Sequence, residues 1–127
     1  NTEVHTITPD SGLQLPSQAN PGLSAGTNQA TGIVIDGRRF NWVEIEYTLK
    51  HTTEIRSGKI VIGLNGDSNT DPTDFTLTDT YNSKATGSTL DHIFSGSLST
   101  QFLSLDYTST DTTQTGFNYI VKSWQSV

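Results

Sequence analysis

Residues 43–51 read "VEIEYTLKH", and the alternation of that stretch decides the fold class. Side chains on a strand switch faces at every residue. Val43, Ile45, Tyr47 and Leu49 therefore share one face, and Glu44, Glu46, Thr48 and Lys50 share the other. The result is a strand with an apolar side turned to a core and a charged side turned away. Just upstream, Phe40 and Trp42 have the parity of Glu44, so a bulge over residues 41–43 is expected to switch the facing.

The same pattern extends in both directions. "GIVID" followed by "GRR" reads as strand then turn, and residues 40–51 are the longest strand. "GKIVIGLN" puts Ile60, Ile62 and Leu64 in phase. "NGDSNTDP" is read as a turn, since Asn-Gly favours positive φ and Pro72 cannot join a central ladder. "TDFTLTDTY" alternates Phe75 and Leu77 against Thr76 and Thr78. "TLDHIFSGSLS" follows, then "TQFLSLDYTST" with Leu103, Leu105 and Tyr107 on one side, and "TGFNYIVKSW" with Phe117, Tyr119 and Val121 in phase. About seven or eight strands at roughly 10–15-residue spacing, with no helical period and no internal repeat, predict an all-β antiparallel β-sandwich of jelly-roll-like type. Residues 1–30 hold three of the four prolines and no sustained period, and are expected to be an extended connector with a short strand near residues 4–8. Leu13, Leu15 and Leu23 are expected to lie against something. The sandwich domain is assigned to residues 31–127.

Composition narrows the function classes. Hydrophobic residues make up only 31% of the 127, and 35 residues are Ser or Thr, more than a quarter of the chain. Such a chain can build a thin two-layer core with little apolar surface to spare, so association with further copies is expected to add stability. The formal net charge of −6 argues against nucleic acid and against an anionic membrane surface, both of which attract clustered Lys and Arg. The absence of cysteine removes disulfides, zinc-thiolate sites and thiol nucleophiles, and fits assembly in a reducing cytoplasm. No apolar run approaches the roughly 18–20 residues of a membrane span. The chain opens on Asn1 and has no Met, which reads as a piece of a longer polypeptide.

The candidate chemistry is sparse. Glu44 and Glu46 sit two apart on one strand face, roughly 6–7 Å from each other, a separation compatible with a glycosidase pair. Neighbours on one flat strand rarely flank a bond or have environments that split their pKa values. A solvated or inter-subunit face is the favoured reading. "DSNTDPTD" opens like a calcium loop at Asp67, Asn69 and Asp71, but Pro72 stands where glycine is required and Thr78 where the closing glutamate belongs, so a plain turn is favoured. His5, His51 and His92 are far apart, with no metal-ligand spacing. No Gly-x-Ser-x-Gly elbow and no phosphate loop occur. No catalytic residue, cofactor or metal is assigned. Among the aromatics, parity places Tyr47, Tyr107 and Tyr119 in the core. Trp42 and Trp124 oppose their strands' apolar stripes and are interface candidates, and Tyr81-Asn82 is the candidate glycan contact.

The order of these stretches resembles the C-terminal β-domain of tailed-bacteriophage tail fibres and tailspikes. A Glu46-Tyr47 strand is followed by an Arg56-x-Gly58-x-Ile60 step, a Thr78-Asp79-x-Tyr81 stretch, "LDYTST" over residues 105–110 and a closing "YIVKSW" over residues 119–124. The match covers residues 43–125. The resemblance implies a homotrimeric virion protein, at the distal end of a fibre or spike, that stabilises the trimer and touches host surface glycans, with no catalytic residues carried over. Lys50, Arg56 and Lys59 would then pair with Glu44 and Glu46 of a neighbouring copy. Two other readings compete: a carbohydrate-binding module attached to a polysaccharide-degrading enzyme, and a small glycoside hydrolase built on Glu44 and Glu46.

Overall fold

The computed structural model describes residues 5–7, 18–23, 25–85, 89–111 and 115–127. Among these residues there are nine strands and no helix. In chain order they are β1 (His5–Ile7), β2 (Gln18–Leu23), β3 (Gly26–Asp36), β4 (Phe40–His51), β5 (Glu54–Leu64), β6 (Phe75–Lys84), β7 (Ile93–Ser99), β8 (Phe102–Ser109) and β9 (Thr115–Ser126). They form a four-stranded sheet, β1-β3-β8-β7, and a five-stranded sheet, β2-β9-β4-β5-β6. Neighbours are antiparallel except β1 and β3, which run parallel. One of the two sheets is curled into a half-barrel. The all-β sandwich predicted from strand spacing is the architecture observed.

β4 lies at the centre of the larger sheet, where its two-faced pattern is put to use. Val43, Ile45, Tyr47 and Leu49 are buried while Glu44, Glu46, Thr48 and Lys50 turn outward. Phe40 is buried as well, and the ladder to β9 shifts register between Phe40 and Trp42, where the bulge was expected. A second shift leaves Lys122 of β9 unopposed, between Val121 facing Ile45 and Ser123 facing Glu44. Its trace in the sequence is the change of parity between Val121 and Trp124, which by itself reads as an outward tryptophan.

Among the described residues, nineteen hydrophobic side chains fill the space between the sheets. Tyr47, Phe94, Phe117 and Tyr119 form a run of ring contacts through the middle, at centroid distances of 5.2, 5.8 and 5.2 Å. Full burial of such side chains contributes about 1.5–3 kcal/mol each. The lean composition thus closes a core within one chain, because alternation sends few apolar groups outward. Among the described residues the exposed large hydrophobics are Ile55, Tyr81, Ile93, Phe102 and Val127.

Two expectations are revised. Residue 31, taken as the start of the sandwich, falls inside β3, and β2 pairs with β9 so that Leu23 reaches the core. Residues 18–23 lack alternation because β2 is an edge strand held by its ladder to β9, and Pro21 sits at that ladder's irregularity. Leu13, Leu15 and the rest of residues 8–17 lie outside the described residues. The second revision concerns the turn at Asn65-Gly66, which does not use positive φ. Gly66 is required by crowding instead, since a Cβ there would lie 2.5 Å from the Gly37 carbonyl. The two-residue turns fall at Thr52-Thr53 and Thr100-Gln101, with Thr52 and Thr100 at φ of 47° and 53°.

Candidate functional site

The outside of the five-stranded sheet is built in rows. Register across β9, β4, β5 and β6 aligns Asn118, Thr48, Ser57 and Asn82 in one row, and Ile120, Glu46, Lys59 and Thr80 in another. The two rows line an open groove of about 610 Å³, whose floor is completed by Tyr47, Gly58, Tyr81 and Tyr119. One step further along the strands, about 7 Å, Lys50, Ile55 and Lys84 make a third row. Every group presented by the Asn118–Thr48–Ser57–Asn82 row is an amide or a hydroxyl, able to donate and to accept.

Charge on this face is held in cross-strand pairs. Lys59 Nζ lies 3.6 Å from Glu44 Oε2, and Lys122 Nζ, carried outward at the β9 bulge, lies 4.0 Å from Glu46 Oε1. Pairs at a solvent-facing sheet surface contribute at most about 1 kcal/mol, although the Glu44 side chain is itself only 17% exposed. They do place an ammonium beside each glutamate. A general acid for glycoside cleavage needs a carboxyl in an apolar recess, whereas these two lie on an open, cation-flanked face within one chain.

Directly beneath the groove is a buried ionic cluster. Arg56 of β5 faces inward with only 2% of its side chain exposed. Its Nη1 donates to the carbonyls of Leu90 at 2.9 Å and His92 at 2.7 Å, and its Nη2 donates to Asp79 Oδ2 at 2.7 Å. The guanidinium lies 3.6 Å from the centre of the Tyr81 ring, a close cation–π contact. Tyr47 crosses over Gly58 to donate its hydroxyl to the other oxygen of Asp79 at 2.7 Å. Burial, then that bond, pushes the phenol's pKa well above its ordinary value. Leu90 is held at φ 54°, its carbonyl on Arg56 and its N–H donating to Asp111 Oδ2 at 3.2 Å. Arg56 was expected to pair with a neighbouring copy. It is instead an internal tie between β5, β6 and the segment leading into β7.

The histidines serve the same end of the sandwich. His51 Nε2 lies 3.1 Å from Asp111 Oδ2, within ion-pair distance but outside hydrogen-bond geometry. His92 Nε2 donates to the Leu23 carbonyl at 3.3 Å, and its Nδ1 has no partner. Burial, reinforced by the Arg56 cation, lowers the His92 pKa. The side chain of His5 lies outside the described residues. No group of three His, Asp or Glu side chains suited to a metal occurs among the described residues.

The remaining candidates separate. Asn82 lines the groove. Tyr81 contributes to the floor and is 48% exposed at the sheet edge, with its ring committed to Arg56. Trp42 stands on the outward parity opposite Gly63 and is half-buried. Trp124 does not point outward as its sequence parity implied. The Lys122 bulge returns it to the inner side, where it pairs with Val43 and meets Phe40 edge-on at 6.3 Å. In the loop over residues 65–74, Asp67 Oδ1 caps the Asn69 N–H at 2.8 Å and Asp71 Oδ1 accepts from Arg38 Nε at 2.7 Å. One oxygen satisfies the turn's own backbone and the other ties the loop to Arg38, in the turn between β3 and β4.

Asn118 and the grouping of lysines escaped the sequence reading. Parity within each strand was available, but which residues share a row depends on register between strands distant in sequence. Comparison with protein-family models, with curated proteins and with solved structures gave no match.

Proposed function

We propose that this domain is a non-catalytic recognition module that holds glycan hydroxyls in the outer groove of its five-stranded sheet. We place it as a homotrimer at the distal end of a phage tail fibre or tailspike. The groove itself carries the reading. Its Asn118–Thr48–Ser57–Asn82 row spans three inter-strand spacings, about 14 Å, and offers paired donors and acceptors suited to sugar hydroxyls. The Arg56 cluster stiffens the floor from below, which reduces the ordering cost of binding. The virion setting is supported by the resemblance, and the cluster gives that resemblance a physical reason: Tyr47, Arg56, Gly58, Asp79 and Tyr81, all part of the recurring pattern, meet in one place. A carbohydrate-binding module of an enzyme would use the same groove as a monomer.

The test is binding of purified bacterial surface polysaccharide, followed by affinity electrophoresis, to the native chain and to the Asn82→Ala/Asn118→Ala variant. Both positions are exposed on one sheet face. The variant is expected to keep its circular dichroism and lose retention. Undiminished retention, or release of reducing sugar by the native chain, would refute the reading.

A further inference from the structure

We propose that the ligand of this groove is an acidic glycan, one bearing carboxylate or sulfate groups; the inference rests on the groove being a glycan site. The chain has four lysines, Lys50, Lys59, Lys84 and Lys122, and the register of the larger sheet brings all four to its outer face. The acids on that face are Glu44 and Glu46 alone among the described residues. The face therefore carries two positive charges in excess, on a chain whose formal net charge is −6.

The excess is localised. Lys59 and Lys122 are matched to Glu44 and Glu46. Lys50 and Lys84 have no ion-pair partner among the described residues, and they flank Ile55 in the row next to the hydroxyl–amide row. Two inter-strand spacings set their backbones about 10 Å apart. Ile55 between them is 40% exposed, so two ammonium groups bracket a small apolar platform of the kind a pyranose face can cover. Acidic groups on the sugar would meet Lys50 and Lys84 while its hydroxyls met Asn82, Asn118, Thr48 and Ser57. A surrounding negative surface with one positive strip focuses anions onto that strip. A nucleic acid is the weaker candidate, because its longer run of phosphates would also face the rest of this acidic chain.

The experiment is an array of carboxylated, sulfated and neutral microbial oligosaccharides, probed with the full chain and with the Lys50→Gln/Lys84→Gln variant. A single-stranded oligonucleotide is included as a competitor. Hits confined to acidic members are expected, weakened by about tenfold in the variant. They should also weaken in 1 M salt, where the Debye length falls to about 3 Å. Equal hits on neutral members, insensitive to salt and to the variant, overturn the charge inference and leave the groove a glycan site. A native chain that retains no oligosaccharide overturns both. Displacement by the oligonucleotide at equal concentration also overturns it. So does a loss of self-association in the variant without any glycan signal, which would make the face a subunit contact.

Discussion

At the scale of single residues, Arg56 is the side chain on which most depends. It is buried, and it serves two carbonyls, a carboxylate and an aromatic ring at once. Lysine offers one compact charge where this site uses a flat fork. Arg56→Lys is therefore expected to lower unfolding free energy by about 3 kcal/mol or more, read from urea denaturation, because Asp79 and the Leu90 and His92 carbonyls lose partners in the interior. His92 gives a pH signature. Its folded-state pKa lies below the ordinary 6.5, since burial and the Arg56 cation oppose the charged form more than the Leu23 carbonyl, Asp91 and Asp111 favour it. The folded state then binds fewer protons than the unfolded one. This contribution is fully present above pH 6.5 and is lost as pH falls below it. Thermal stability should decline as pH falls below 6.5, and His92→Gln should flatten that slope. Asp91 acts in a separate window. Burial would raise its pKa, but the Ser109 hydroxyl and the Thr110 hydroxyl and N–H hold it below 3.8, so its share is lost only in stronger acid.

At the scale of elements, β5 shows how a glycine can be a packing requirement. A Cβ on Gly58 would lie 2.7 Å from the Tyr47 hydroxyl, 2.7 Å from Tyr81 Cβ and 2.8 Å from the Thr80 carbonyl. Gly58→Ala must displace Tyr47 from Asp79 and is expected to cost about 1–3 kcal/mol, with a change in near-ultraviolet circular dichroism as the tyrosine moves. An unchanged denaturation midpoint would contradict this account. The limits of β4, its two faces and its bulge near Phe40 were legible from the chain, because burial on one side enforces a period of two. β2 was not, since an edge strand needs no apolar stripe. The inward turn of Trp124 was read the other way, since its broken parity fits an outward side chain as well as a bulge, and only the β4–β9 register decides between them. The groove was half legible: Glu44, Glu46 and Lys50 could be put on one face of β4. Asn118, Asn82 and Lys84 join them only once β9 and β6 are set in register at either side.

For the molecule as a whole, the prediction concerns the number of copies. One chain closes its own core, so a trimer would be joined through surfaces that a monomer can expose to water. Light scattering at micromolar concentration is expected to give three times the chain mass. A monomer would favour the enzyme-appended module and leave the groove unchanged. The placement of charge has a consequence for either form. Because all four lysines but only Glu44 and Glu46 of the described acids lie on one face, the described residues form an electric dipole on a chain that is a net anion. Near an anionic cell envelope it is repelled at large and turned at close range, so that its groove leads the approach.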